Sequence, residues 1–136
     1  MADKQHVELL KRSVDTWNTW RMQNADVKPD LSDADLQQRD LMVADLTGTV
    51  LRGANLIMAN LNGADLRGAD LTGANLVGAR LIGVDLLDAD LSGADLRTAE
   101  DLTQEQINQT RGDDKTVLPD GVERPSHWIK PSPDKD

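Results

Sequence analysis

The sequence predicts an all-β solenoid, a chain wound into a four-sided coil with a short cap at each end. Three observations predict it. A leucine stands at every fifth position from Leu31 to Leu96, fourteen times without a miss. Around it, ten of the fourteen units carry Ala two places before the leucine, twelve carry Asp or Asn one place before it, and eight carry Gly two places after it. Finally, a period of five fits neither regular element. On an α-helix, five steps of about 100° separate successive leucines by about 140°, which scatters them over every face. On a flat strand an odd period sends successive leucines to opposite faces. A corner after each unit removes the conflict. Ala and Leu then point inward, the corner residues face water, and four corners close a coil of about twenty residues that stacks at the strand spacing of about 4.8 Å.

The elements follow in order. Residues 1–28 form an N-terminal segment whose stretch from 3 to about 24 reads as one amphipathic helix. Val7, Leu10, Val14 and Trp17 recur at helical spacing, with Trp20 and Arg21 one turn later, and Asn24 and Pro29 end it. Such a helix is expected to cap the first coil, because an open solenoid end exposes a ladder edge and an apolar cross-section. The repeat window, 29–98, holds about three and a half coils. Four units depart from Ala at the small inward position: Pro29, Arg39, Thr49 and Val84. Thr49 and Val84 are small enough to point inward. Arg39 is expected to reach the rim or find a partner, since a buried unpaired charge is costly.

After Leu96 the register breaks, with one residue too many in Ala99-Glu100-Asp101-Leu102. Thr103-Gln104-Glu105-Gln106 is a capping box, and Leu102 with Ile107 has the spacing of a hydrophobic staple. A short helix is expected from 104 to about 110, stopped at Gly112. Pro119-Asp120-Gly121 signals a turn. Val117, Leu118 and Trp128 are expected to fold back over the last coil, and Ser132–Asp136 to be disordered. Residues 99–136 thus read as a C-terminal cap and tail.

Units such as Ala64-Asp65-Leu66-Arg67-Gly68 and Ala69-Asp70-Leu71-Thr72-Gly73 resemble the bacterial pentapeptide-repeat family over about half the chain. The resemblance implies a right-handed quadrilateral β-helix. The segment from Leu102 through Arg124-Pro125-Ser126-His127-Trp128 is similar to the C-terminal extension of many members. The best-known branch of the family resembles B-form DNA in shape and charge, occupies DNA gyrase and protects against quinolones. This chain shares the repeat and the negative charge, and departs in its shortness, its uninterrupted coils and the capping segments at both ends.

Composition limits the function. The chain of 136 residues has net charge −9, with no Cys, Phe or Tyr, and its three Trp lie outside the repeats. The leucine-lined interior is narrow and leaves no room for a small-molecule ligand. An acidic body argues against direct nucleic-acid binding, which needs Lys and Arg to neutralise phosphates, and permits basic partners. The absence of cysteine excludes disulfides and thiol chemistry. No segment is apolar enough for a signal peptide or a membrane span, so a cytoplasmic protein is expected.

No catalytic constellation is visible. His6 and His127, the two histidines, lie in opposite end segments, and no enzyme activity, cofactor or metal is expected. Arg111-Gly112-Asp113 matches an integrin-type tripeptide, but Gly112 is read as the helix stop. Residues twenty apart stack, which collects Asp45, Asp65 and Asp85 into a candidate acidic ladder, with turn bonding to the backbone as its ordinary role. Just after the leucines, most residues are polar, while Ile57, Val77, Ile82 and Leu87, with Met58, form a candidate apolar contact patch. Two functions compete: a rigid, non-catalytic module that binds a protein partner or a second copy of itself, and an acidic DNA mimic acting on gyrase.

Overall fold

The computed structural model describes residues 2–128; the disorder expected of Ser132–Asp136 lies outside the described residues. Two short helices come first, α1 (Lys4–Arg12) and α2 (Val14–Gln23). Stacked five-residue units follow, then a third helix, α3 (Gln104–Asn108), and a 3-10 turn over Ser126–Trp128.

Each unit is one turn plus one rung. The Ala69 N–H donates to the Leu66 carbonyl at 3.0 Å, closing a four-residue turn. Its third residue, Gly68, has φ +66°, which marks a type II turn and favours glycine there. Between coils, the Leu66 N–H donates to the Asp85 carbonyl at 2.8 Å, the Gly68 N–H to the Leu87 carbonyl at 2.9 Å, and the Asp85 N–H back to the Ala64 carbonyl at 3.2 Å. The same pattern makes eleven parallel bridges between residues twenty apart, from Asp30–Val50 to Arg80–Glu100. Four bridges per coil define four sides, named here after Asp30, Asp35, Asp40 and Asp45.

All fourteen leucines of the register and all ten of its alanines are buried. Thr49 and Val84 take the alanine place and are buried too. Arg39 is exposed, and its Nη1 donates to the Lys11 carbonyl at 3.4 Å at the rim. The twelve Asp and Asn that precede a leucine share one role. Each accepts, through Oδ1, a hydrogen bond from the N–H two residues on, as Asp40 does from Met42 and Asn75 from Val77, both at 3.1 Å. This side-chain bond holds the corner backbone in its turn.

The single helix expected over residues 3–24 is two. Ser13 is extended (φ −174°), and its Oγ accepts from the Thr16 N–H at 2.9 Å, so it caps α2 and ends α1. The break lets the helices serve different sides. From α1, the Asp3 N–H donates to the Asp30 carbonyl at 2.9 Å, while His6 Nδ1 accepts from the Asp30 N–H at 3.0 Å. From α2, Trp17 Nε1 donates to the Asp45 carbonyl at 2.7 Å, Asn18 Oδ1 accepts from the Asp45 N–H at 2.8 Å, and Arg21 donates to the Thr47 carbonyl at 2.7 Å. These side chains stand where the backbone of a preceding coil would lie.

The far end uses the same device. Thr103 and Gln106 form a capping box that starts α3. Gln106 Nε2 donates to the Leu81 and Val84 carbonyls at 2.9 and 3.0 Å, so α3 takes the place of a fourth rung on the Asp45 side. The ladder then resumes beyond the leucine register. Asp90 bridges Arg111 and Asp95 bridges Val117, with Thr110 and Thr116 buried at the alanine places. The Thr110 hydroxyl donates to the Ile107 carbonyl and that of Thr116 to the Leu91 carbonyl, at 2.6 and 2.8 Å, so neither buried hydroxyl is unpaired. Arg124 and Trp128 close these two rungs by donating to the Thr116 and Thr110 carbonyls at 2.9 and 3.0 Å. Gly112 is not the helix stop: α3 ends at Asn108 with Gln109 as its C-cap, and Gly112 lies under Trp128, where a Cβ would come within 2.7 Å of the ring.

Two substitutions test this packing. Leu66→Ala opens a cavity that the surrounding coils cannot collapse into, and is expected to lower unfolding stability by about 2–5 kcal/mol in urea titration. Val43 is a β-branched residue at φ +57° and is 61% exposed. Val43→Gly relieves that strain with little loss of burial, and should raise stability by about 0.5–1 kcal/mol in the same measurement.

Candidate interaction surface

Side chains leave the fold at the corners, and there the five apolar residues of the candidate patch divide into two sets. Ile57 and Val77 stack on the corner between the Asp35 and Asp40 sides, both half-buried. Met58 stands with them, 58% exposed, lying over Gly78. Ile82 and Leu87 occupy the next two corners, 54% and 45% exposed. They bracket the Asp45 side at its last rung, where α3 replaces the coil that would otherwise follow.

That replacement creates a groove of about 810 Å³. Ile82, Val84 and Leu87 line it from the solenoid, and Thr103, Gln106 and Gln109 from the α3 segment. Asp85 and Asp101 stand at its edge. The groove exists because a helix is wider than a rung and reaches the coil below through the long Gln106 side chain instead of a backbone ladder.

Asp45, Asp65 and Asp85 share one side, as their bridges require. They do not form a bare row of charge. Each accepts its corner N–H through Oδ1, from Thr47, Arg67 and Leu87 at 3.1, 3.2 and 3.2 Å. Arg21 lies 3.8 Å from the Asp45 carboxylate. Arg67 lies between the other two, 2.6 Å from Asp65 Oδ2 and 3.7 Å from Asp85 Oδ2. The hydrogen bond from the Arg67 guanidinium, with the Arg67 N–H and its positive charge, holds the Asp65 carboxyl below the ordinary carboxylate range, although burial opposes it. Burial pushes the Asp70 carboxyl up, but bonds from Thr72 and Arg52 outweigh it and leave it lowered. Asp30 is lowered chiefly by its bonds from Ser32.

Both histidines are engaged in capping. His6 receives the Asp30 N–H and packs its ring 4.9 Å from that of Trp20, while His127 Nε2 lies 2.6 Å from the Thr110 carbonyl. Among the described residues, no three His, Cys, Asp or Glu side chains are arranged to hold a metal ion, and no helix is long and apolar enough to cross a membrane.

Two surface features escape a reading of the sequence. Met42 and Val43 are exposed on the corner below Ile82, and Met22 is exposed on α2. The signal for Val43 was present, since the second place after a leucine demands positive φ and valine resists it. The groove had no local signal, because it depends on where α3 docks.

A family model for pentapeptide repeats, in eight copies, matches residues 30–68 and 59–98. Solved structures similar to the chain include the pentapeptide repeat protein alr5209 from Nostoc Pcc 7120, with 34% identity over 76% of this chain and 84% of that one, at a TM-score of 0.43. Rfr23 from the cyanobacterium Cyanothece 51142 is 36% identical over 68% of this chain, which spans 66% of its length, at a TM-score of 0.34. QnrB1, a plasmid-mediated fluoroquinolone resistance protein, is 21% identical over 78% of this chain and 68% of its own, at a TM-score of 0.31. Among curated proteins there is no match.

The lowered carboxylates make stability depend on pH with a definite sign. A carboxyl with a lower pKa folded than unfolded stabilises the fold above the unfolded value and loses that contribution as pH falls through the folded one. Unfolding midpoints in urea are therefore expected to be flat from pH 7 to about 5 and to fall below about pH 4. Asp65→Asn, which keeps the turn acceptor and loses the ion pair, should make that fall shallower.

Proposed function

The chain belongs to the pentapeptide-repeat family, and from that premise we propose that it is a non-catalytic interaction module that binds a protein partner through the end of its Asp45 side. The coil is read as a right-handed quadrilateral β-helix, the hand that the family resemblance implies. Its interior is filled by leucine and alanine, and its histidines are occupied in holding the caps, so chemistry at this scaffold has no evident seat. The absence of cysteine suits a cytoplasmic setting.

The observation that carries the reading is the exposure of Ile82 and Leu87 on either side of one open groove. Large aliphatic side chains on a rigid frame contribute to binding at little entropic cost, because the corner backbone is already ordered. Val77 and Ile57 extend apolar surface around the adjoining corner.

Acidity also supports the gyrase reading, through the net charge of −9. Arg21 and Arg67 weaken it on the Asp45 side by pairing with the carboxylates there. Inhibition of gyrase supercoiling by micromolar purified protein would favour the mimic.

The module is tested by capture from cells of the native host, comparing the chain with its Ile82→Asp/Leu87→Asp variant. Both positions are corner sites, so circular dichroism and the urea midpoint should stay close to those of the parent. A partner held by the parent and lost by at least tenfold in the variant is expected. Retention of every partner by a folded variant would rule out this surface.

A further inference from the structure

The geometry points to the occupant of the groove between the Asp45 side and α3: a segment of a partner protein that presents aliphatic side chains flanked by lysine or arginine. This inference rests on the interaction reading and names the chemistry of the partner at that same site.

The floor is apolar, made by Val84 with Ile82 and Leu87 at its two corners. The rim is acidic. Asp85 and Asp101 edge the groove, and exposed Asp88 and Glu105 stand beside it, one after Leu87 and one on α3. Among the described residues, Asp85 alone of these four lies within ion-pair distance of a cation, Arg67, and at 3.7 Å that contact is long. Arg111 is directed to the Asp88 carbonyl at 3.5 Å. Some carboxylates elsewhere on the solenoid are closely matched, as Asp70 is by Arg52 at 2.7 Å and Asp95 by Arg97 at 2.8 Å. At the groove, loosely matched acidic charge stands beside exposed aliphatic surface. An apolar floor under an acidic rim discriminates against acidic segments by repulsion and selects basic amphipathic ones by attraction.

The polar wall supports a fixed site. The Gln106 side chain is committed at both ends, its Nε2 to the Leu81 and Val84 carbonyls and its Oε1 to the Thr103 N–H at 2.8 Å. The Asp88 N–H donates to the Gln109 carbonyl at 2.9 Å. The α3 wall is therefore tied to the coil beneath it, and a ligand meets a groove already formed.

The test uses fluorescence anisotropy with two labelled peptides of about sixteen residues, long enough for an amphipathic face. One carries leucine at helical spacing with lysine elsewhere, and the other carries the same leucines with glutamate. The full chain is expected to bind the lysine peptide at least tenfold more tightly than the glutamate peptide. Ile82→Ser/Leu87→Ser should weaken lysine-peptide binding at least tenfold. The set Asp85→Asn, Asp88→Asn, Asp101→Asn and Glu105→Gln should weaken it at least threefold and flatten its salt dependence. Asparagine retains the corner acceptor at position 85 and tolerates the positive φ of positions 88 and 101, so this variant is expected to fold, and the urea midpoint checks it.

Failure to bind the lysine peptide, equal binding of the glutamate peptide, or binding indifferent to either variant overturns the proposal. A concentration-dependent dimer in sedimentation, lost in Ile82→Ser/Leu87→Ser, would overturn it in favour of a second copy of the chain. Host-protein capture that depends on Ile82 and Leu87 but not on the four acids would leave the interaction module standing and remove the basic segment as its partner.

Discussion

Everything in this molecule follows from the need to pair backbone groups between coils. A rung is only a few atoms long, and its N–H and C=O groups have no partner within the unit. They must meet the same groups twenty residues away. A coil one residue longer or shorter would move every later leucine off its inward place. The five-residue unit is thus the solution to a registry problem, with the leucine filling the interior, the alanine leaving room for its neighbours, and the aspartate or asparagine holding the corner that makes the next rung possible. The hydrophobic shaft and the hydrogen-bonded wall are two views of one constraint.

The same constraint explains the ends. A ladder that stops leaves both donors and acceptors on each face, and the protein answers in kind. At the N-terminal face, Asn18 Oδ1 and His6 Nδ1 supply acceptors to the N–H groups of Asp45 and Asp30, while Trp17 Nε1 and the Asp3 N–H supply donors to the carbonyls of the same two residues. At the C-terminal face, Gln106, Arg124 and Trp128 supply donors to the carbonyls of Val84, Thr116 and Thr110. Each cap therefore brings groups of both kinds, as the Gln109 carbonyl does at the C-terminal face by accepting the Asp88 N–H. The Asp45 side is closed in this way at both ends, by α2 and by α3, and it carries three rungs between them. The break at Ser13 belongs to this logic, because one straight helix could not reach the edges at both Asp30 and Asp45.

The repeat was legible in the sequence because a period of five with invariant leucine has few physical solutions. The inward fit of Thr49 and Val84 and the escape of Arg39 to the rim were legible for the same reason. What was not legible required knowing how distant segments dock. Ser13 looked like one polar residue within a helical pattern, since Val14 and Trp17 continue the apolar periodicity across it. Thr116-Val117-Leu118 repeats the tripeptide Thr49-Val50-Leu51 and joins the ladder as it does, but the inserted α3 hid the register. The candidate residues Ile82 and Leu87 were visible as exceptions to a polar position. Their groove was not, because its second wall is a helix placed by the Gln106 side chain.

Aspartate and asparagine offer the same Oδ1 to the corner backbone, and the twelve corners already use both. Architecture is therefore nearly blind to the ionisation of those sites. A lineage can drift from strongly acidic to almost neutral by single-atom exchanges without renegotiating its packing. Such a frame lets the electrostatic character of each flank evolve independently of the shaft beneath it.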